Sequence, residues 1–280
     1  MADPAIITAA VTGSITSAQQ TPYLPLTVEA IASAAVESWQ AGASVIHLHA
    51  REDAGTPTQD PEIYDVLVRR IRATGCDAIL NLSTGSAGGR AELDERLGVL
   101  ELAPELATLD CGSMNYGDDR VFANPMSFLR RAAGRMRDLG VVPEIEAFDP
   151  SMIHNGLRLI EEGLIDGPGV WQLCLGVAGG VPADLPTIAH MLGRLPAGAV
   201  WSLLGVGRHQ VPVNVLSLAW GGHVRTGLED NIYYRRGELA TSTAQLVRRV
   251  VRLAEEVGRP VATPAQAREL LGVRAGAGAS

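Results

Sequence analysis

Two histidines, His47 and His49, stand one residue apart inside the apolar run SVIHLHA of residues 44–50. On a β-strand, side chains two residues apart point to the same side, so these imidazoles would project next to each other. Neutral imidazole is a common ligand of zinc in proteins. The spacing by itself fits two metal ligands and two buried structural histidines equally well, and a third ligand would decide between them.

The segment GGHVRTGLEDN, residues 221–231, offers such a third ligand. Glu229 and Asp230 follow an apolar run there, and Arg225 precedes Glu229 by four residues. Two imidazoles and one carboxylate leave a coordination position open for water or substrate, as in catalytic zinc sites. As a pattern, the segment is equally typical of a polar loop that begins a helix.

Other polar residues stand where apolar runs end. They are Ser83 in NLSTGSAGG, Thr108 in ATLDCG, and Glu144 with Glu146 in PEIEAF. A buried carboxylate is costly unless it is paired or functional, so the two glutamates are candidate active-site residues. We expect only one of them to face inward on a regular strand.

Three glycine-rich turns, STGSAGG, LGVAGG and GVGRHQVP, also follow apolar runs. Such turns let backbone N–H groups approach an anion, and phosphate sites in α/β barrels often lie after the last two strands. Arg208 adds a positive charge to the third turn. This makes Arg208 a candidate substrate-binding residue.

Eight short apolar runs recur along the chain and alternate with amphipathic segments that carry helix signals. One such segment begins at the N-cap candidate Thr27, and another at Asp60 with Pro61 in the first helical position. The runs are residues 5–11, 44–50, 77–83, 106–112, 141–148, 170–176, 200–206 and 222–228. The pattern predicts an α/β fold, a single-domain (β/α)8 TIM barrel over residues 1–272 with a flexible tail at 273–280. A doubly wound open sheet is the structural alternative.

The composition is that of a globular protein and excludes several chemistries. The 280 residues are 46% hydrophobic and carry a net charge of -8, which argues against nucleic-acid binding. All 23 basic residues are arginines. A Schiff-base aldolase, a pyridoxal-phosphate enzyme and a P-loop ATPase are excluded, because each needs a lysine amine.

Cysteine usage and hydropathy indicate the cellular setting. Cys76, Cys111 and Cys174 are odd in number and far apart, so we expect reduced thiols in the core. No run reaches the roughly 18 apolar residues of a membrane span, and the first residues lack the pattern of a signal peptide. We expect a cytoplasmic protein without membrane contact.

The order of the motifs resembles the β-keto acid cleavage enzymes, from about Ile6 to Leu271. The motifs that carry the resemblance are TAAVTG, VIHLHARED, LSTG, PELATLDCGSMNYGDD, VVPEIEAF, LGVAGG, GGHVRTGLEDNIYYRRG and ATPAQARELL. The resemblance implies a barrel that holds zinc or another divalent metal and is usually a homotetramer. It also implies condensation of a β-keto acid with a CoA ester, typically acetyl-CoA, to give acetoacetate and a new acyl-CoA.

The resemblance also assigns roles to residues by motif. The implied metal ligands are His47, His49 and Glu229. The implied catalytic residues are Ser83, Glu144, Arg225 and Asp230, with Thr108 in the substrate pocket. Asp230 would be the base that removes a proton from the acetyl methyl group, with Arg225 holding it in place and ionised.

The chain departs from the family's prototype shortly after the first TG. The enzyme that acts on 3-keto-5-aminohexanoate has a glutamate there that pairs with the substrate's amino group, whereas this chain has Ile15, next to Ser14. A neutral residue removes the partner that a cationic substrate needs. We therefore expect a β-keto acid without a δ-amino group, whose uncharged or apolar side chain meets Ser14 and Ile15.

Two other functions fit part of the pattern. A zinc amidohydrolase also carries an HxH pair in a barrel, but on the first strand and with further histidine ligands on later strands. A non-catalytic barrel that binds a metal or a CoA-like ligand is the second alternative. The joint presence of Arg225, Glu229 and Asp230 argues against the second alternative.

Overall fold

Eight parallel strands close into a barrel in the computed structural model, which describes residues 3–86 and 88–273. The strands are β1 Ile7–Ala10, β2 Val45–Leu48, β3 Ile79–Leu82, β4 Leu106–Asp110, β5 Val142–Ala147, β6 Val170–Leu175, β7 Val200–Gly205 and β8 His223–Thr226. Each lies within one of the eight predicted apolar runs, and β1 pairs with both β2 and β8. The (β/α)8 prediction is confirmed, and the open-sheet alternative is wrong.

Helices surround the barrel; most of them connect consecutive strands, and the last two follow the eighth strand. They are α1 Val28–Gln40, α2 Pro61–Arg72, α3 Met126–Leu139, α4 Pro150–Glu161, α5 Leu185–Leu192, α6 Gln210–Ala219, α7 Thr243–Glu256 and α8 Pro264–Leu271. A 3-10 helix, Glu95–Leu102, connects β3 to β4. The predicted caps are confirmed, since the Thr27 side chain accepts a hydrogen bond from the backbone N–H of Ala30 and the Asp60 side chain from that of Glu62.

The inside of the barrel changes from apolar to polar along the strand direction. The first inward residues of seven strands are hydrophobic and form one layer with α8, which covers this end of the barrel. They are Ile6, Val45, Ile79, Leu106, Val142, Val170 and Val200. Two residues further along each strand the inward side chains are mostly polar, so the carboxyl ends of the strands carry the chemistry, as is usual for this fold.

The N-terminal and C-terminal segments of the domain meet at the end of the barrel that α8 covers. Ala5 and Val261 form a parallel bridge, and the Ala5 N–H donates to the Pro260 carbonyl at 2.8 Å. Val273 is buried against the apolar layer, so the predicted flexible tail begins one residue too early. The rest of that predicted tail, residues 274–280, lies outside the described residues.

The three cysteines agree with the expectation from their number and spacing. Cys76, Cys111 and Cys174 are buried free thiols, as predicted. Burial raises the pKa values of all three thiols. Over residues 3–86 and 88–273, no helix is both long and apolar enough to cross a membrane.

Candidate active site

His47, His49 and Glu229 meet at the carboxyl end of the barrel. Both histidines project inward from the β2 end, with ring centroids 5.0 Å apart, and Glu229 lies in the loop after β8. The Nε2 atoms of His47 and His49 each lie 3.4 Å from the same Glu229 oxygen, Oε1. The structure thus brings together the three residues that the sequence offered as metal ligands, and their ligand atoms all lie within 4.8 Å of one another.

The donor set fits a zinc ion. Zinc bonds of about 2.0–2.2 Å in tetrahedral geometry place ligand atoms about 3.3–3.6 Å apart, which matches both histidine–carboxylate distances. The second Glu229 oxygen, Oε2, is buried without a hydrogen-bond partner among the described residues, which is costly unless another group uses it. The site therefore offers two nitrogen ligands and one carboxylate in an arrangement that fits a zinc-sized cation.

Local charges keep the candidate ligands in the protonation states that a metal requires. Burial lowers the pKa of His47 to about 4, so its imidazole is neutral and its Nε2 lone pair is available at neutral pH. Burial alone would raise the pKa of Glu229. In acid, where this carboxyl titrates, the protonated His47 imidazole and the Arg225 guanidinium instead hold its pKa well below its ordinary value.

Close backbone approaches fix the position of Glu229. The backbone N–H of Glu229 donates to the Ala10 carbonyl at the end of β1. Gly13, at φ +65°, lies so near that a Cβ there would stand 2.6 Å from the Glu229 Cγ atom. Gly227 lies even closer to the end of β1, since a Cβ placed on it would stand 1.9 Å from the Ala10 carbonyl oxygen. Both glycines leave the space that brings the carboxylate to the histidines.

Arg225 links the metal site to two further carboxylates. It projects inward from β8 and donates through Nη2 to Glu229 at 2.7 Å and through Nη1 to Glu146 at 3.2 Å. Its Nε and Nη2 atoms form two hydrogen bonds of 3.0 Å with the Asp230 carboxylate. Such a bidentate pair fixes the orientation of the carboxylate. Burial outweighs this attraction and raises the pKa of Asp230 to about 6, which suits a base that works near neutral pH.

A cavity of about 150 Å³ opens beside these residues. All the predicted site residues except Glu144 and Arg208 line it: Ser14, Ile15, His47, His49, Ser83, Thr108, Arg225, Glu229 and Asp230. Its wall also includes the apolar side chains Ile15, Val121, Phe148, Val177 and Leu204, together with the exposed Arg120. The cavity therefore joins a polar, charged floor to a rim that carries the apolar Ile15 and Val121 and the cationic Arg120.

Ser83 and Thr108 present hydroxyl donors to this cavity. The Ser83 Oγ atom accepts a hydrogen bond of 3.0 Å from the Gly85 backbone N–H, and the Thr108 Oγ1 atom accepts one of 3.0 Å from that of Thr84. Because a backbone N–H occupies an acceptor position on each oxygen, the hydroxyl protons are free to donate to a substrate oxygen.

Glu144 and Glu146 both face the barrel interior, so the expectation that only one does is wrong. They are two residues apart, and a strand places such residues on one side. Glu146 reaches Arg225 across the barrel, and Glu144 accepts a hydrogen bond of 2.6 Å from Asn81, two strands away. Glu144 lies one layer deeper and does not line the cavity, whereas Glu146 does.

Arg208 is exposed and lies away from the cavity wall. Its Nε atom lies 3.3 Å from the Nε2 atom of the neighbouring His209, so the structure does not place it with the predicted substrate-binding residues. Two residues that the sequence reasoning missed, Asp110 and Tyr116, line the cavity. Asp110 follows Thr108 by two residues on β4, and the same two-residue rule would have found it.

Comparisons with known proteins agree with this geometry. Residues 4–273 match the family model described as beta-keto acid cleavage enzyme. The 3-keto-5-aminohexanoate cleavage enzyme of Fusobacterium nucleatum subsp. nucleatum is 44% identical, over 98% of this chain and 100% of its own. The 3-oxoadipate:acetyl-CoA acetyltransferase of Cupriavidus necator is 40% identical, over 98% of this chain and 96% of its own.

A solved structure shows the same fold at lower identity. A ternary complex of ObcA with a C4-CoA adduct and oxalate superposes with a TM-score of 0.78 at 22% identity, over 90% of this chain and 68% of that one. Together with the family match over nearly the whole described chain, these findings mean that the protein belongs to the β-keto acid cleavage enzyme family.

Proposed function

We propose that this protein is a zinc-dependent enzyme that condenses a β-keto acid with acetyl-CoA and releases acetoacetate and a new acyl-CoA. The observation that carries the proposal is the convergence of His47, His49 and Glu229 on one point of a cavity that also holds Asp230. The membership of the family, and a relative named as an acetyl-CoA acetyltransferase, support the same reaction class.

The side chains around the cavity divide this reaction between them. A zinc ion held by the two histidines and Glu229 would polarise the substrate's keto group and stabilise negative charge on its oxygen. Asp230 accepts a proton from C2 of the β-keto acid, and not from the acetyl methyl group, because acetoacetate forms only if C2 bonds to the acetyl carbonyl carbon. The CoA thiolate that leaves then adds to the keto carbon C3, and cleavage of the C2–C3 bond releases acetoacetate and the new acyl-CoA. Arg225 holds Asp230 in one orientation through its two hydrogen bonds. The hydroxyl groups of Ser83 and Thr108 donate hydrogen bonds to substrate oxygen atoms.

The substrate carries no amino group at the δ position in this proposal. Ile15 is 41% exposed and stands in the cavity wall with other apolar side chains, so it offers no ion pair to an ammonium group. The acidic groups of the cavity are engaged elsewhere, since Glu146 pairs with Arg225 and burial raises the pKa of Asp110 beside it. An uncharged or apolar acyl chain can pack against Ile15 and its apolar neighbours in this wall, where Arg120 is a cation and would repel an ammonium group.

Replacing Ile15 with glutamate will shift preference toward the amino substrate. We expect the ratio of kcat/KM for 3-keto-5-aminohexanoate to that for 3-oxohexanoate to rise about 10–100-fold, because a hydrogen bond to a charged group contributes about 1.5–3 kcal/mol. Ile15→Gln is the matched neutral control and will leave the ratio within about threefold of the parent. If the unaltered protein turns over the amino substrate far faster than 3-oxohexanoate, the proposed substrate class is wrong.

The proposed reaction is tested by incubating the protein with acetyl-CoA and a panel of β-keto acids. Mass spectrometry should detect a new acyl-CoA and acetoacetate in equal amounts. Chelation should abolish the activity and added zinc should restore it, while His49→Ala should remain inactive with zinc. A zinc-loaded protein inert toward the whole panel would favour the non-catalytic alternative, and hydrolysis of amides without CoA turnover would favour the amidohydrolase.

Assembly extends the same proposal. The family resemblance supports a homotetramer, and light scattering of the purified protein measures the assembly directly. The amidohydrolase alternative has little structural support, because the HxH pair lies on β2 and no second cluster of metal-binding residues occurs over residues 3–86 and 88–273.

A further inference from the structure

Asn81 is buried between a candidate metal ligand and a carboxylate that lies below the cavity. It projects inward from β3, is 0% exposed, and its Nδ2 atom donates to Glu144 Oε2 at 2.6 Å. Because the Asn81 amide donates its N–H to a Glu144 oxygen, this contact fixes which way round the Asn81 amide lies. The amide oxygen, Oδ1, must then point away from Glu144.

The strand order shows where that oxygen points. Glu144 stands on β5, two strands from Asn81 in one direction, and β2 is the neighbour of β3 in the other direction. The residue opposite Asn81 on β2 is His47, which also projects inward. The Asn81 oxygen is therefore directed toward the His47 ring.

Two buried atoms at this place have no hydrogen-bond partner. Asn81 Oδ1 and His47 Nδ1 are both unpaired, although His47 is only 2% exposed and Asn81 is fully buried. An imidazole that binds a metal through Nε2 carries its proton on Nδ1, and such ligands almost always donate this N–H to an oxygen. A single water or a small rotation of the side chains would join the two atoms.

We propose that Asn81 is a positioning residue that accepts the Nδ1 proton of His47, either directly or through one water, with Glu144 fixing the Asn81 amide. The chain Glu144–Asn81–His47 then selects the histidine tautomer that offers Nε2 to the metal and holds the ring in place. This inference rests on the proposed metal site. It assigns Glu144, which does not reach the cavity, a supporting role below it.

The experiment measures zinc affinity rather than turnover, by competition with a chromophoric chelator, for the unaltered protein and Asn81→Leu. Loss of an outer partner of a metal-binding histidine typically costs about 10–100-fold in affinity, and we expect a loss of this size. Glu144→Gln should give a smaller loss in the same direction, because an amide no longer fixes the Asn81 orientation. The absorption spectrum of bound Co²⁺ should also change in Asn81→Leu.

The matched control is Gln172→Met. Gln172 is another buried inward amide, on β6, whose side-chain atoms also lack partners among the described residues, but it lies outside the Glu144–Asn81–His47 chain. Its zinc affinity should stay within about twofold of the parent, and thermal unfolding of the metal-free proteins shows whether both variants fold. Equal losses in Gln172→Met and Asn81→Leu, or no loss in Asn81→Leu, overturn the inference. Failure of the unaltered protein to bind zinc overturns the inference and the zinc site together.

Discussion

Asp230→Asn is expected to lower turnover of a β-keto acid with acetyl-CoA by about 10²–10⁴-fold, the range typical for loss of a general base. Asparagine keeps the shape of the side chain and an oxygen that accepts from Arg225, so the change removes basicity with little change in geometry. Burial raises the pKa of Asp230 to about 6, which leaves the carboxylate mostly ionised at pH 7 and able to accept a proton from C2 of the β-keto acid.

Proton exchange tests this role apart from the later steps. In D₂O, the parent enzyme should exchange the C2 protons of the β-keto acid for deuterium faster than buffer alone does, and Asp230→Asn should not, although it binds zinc as the parent does. Asp110→Asn is the matched control, because Asp110 is another buried carboxyl group in the same cavity wall. Its turnover should fall less than tenfold. An Asp230→Asn variant that retains turnover within threefold of the parent would remove Asp230 from the mechanism.

Glu229→Gln is expected to lower zinc affinity by about 100-fold or more. Loss of a hydrogen-bond partner behind a metal ligand costs about 10–100-fold, and loss of a ligand itself should cost more. The glutamine amide has no negative charge to balance the positive charge of the ion, and its NH₂ group cannot bind a metal. Turnover should fall in proportion to the zinc that is lost. Arg225 keeps its contacts with Asp230 and Glu146, so the variant should still fold.

Glu238→Gln serves as the matched control for the change at Glu229. Glu238 follows Glu229 by nine residues in an exposed hairpin, where it pairs with Arg235. An exposed pair of this kind contributes little to stability, so zinc content and turnover should match the parent. Full zinc occupancy in Glu229→Gln, measured by elemental analysis after dialysis, would mean that other residues hold the ion.

The fold was predictable from local signals because each strand is covered on both faces. Continuous apolar runs such as VWQLCLG mark these strands, and side chains such as Thr27 and Asp60 mark the helix starts. The alternation of eight strands with helical segments then leaves few arrangements, and the closed barrel is the one observed.

The site was predictable where spacing alone sets geometry, as for His47 and His49. The depth of a side chain along the barrel axis was harder to predict, because it depends on how neighbouring strands are staggered. Glu144 illustrates this limit: its motif points to the active site, but its position on β5 places it one layer below the cavity. The exposure of Arg208 likewise depends on how its loop folds, which the glycine-rich pattern does not specify.

The graded interior of the barrel has a consequence for how this protein can change over evolutionary time. The apolar layer that includes Ile6, Val45 and Ile79 is sealed by α8, while Ile15 and Val121 stand at the opposite rim, where both are more than 40% exposed. Mutations at the rim therefore disturb little buried surface and should be tolerated. Substitutions at the rim can therefore change which acyl chain the protein accepts, while the core that stabilises the fold and the acid–base residues stay the same.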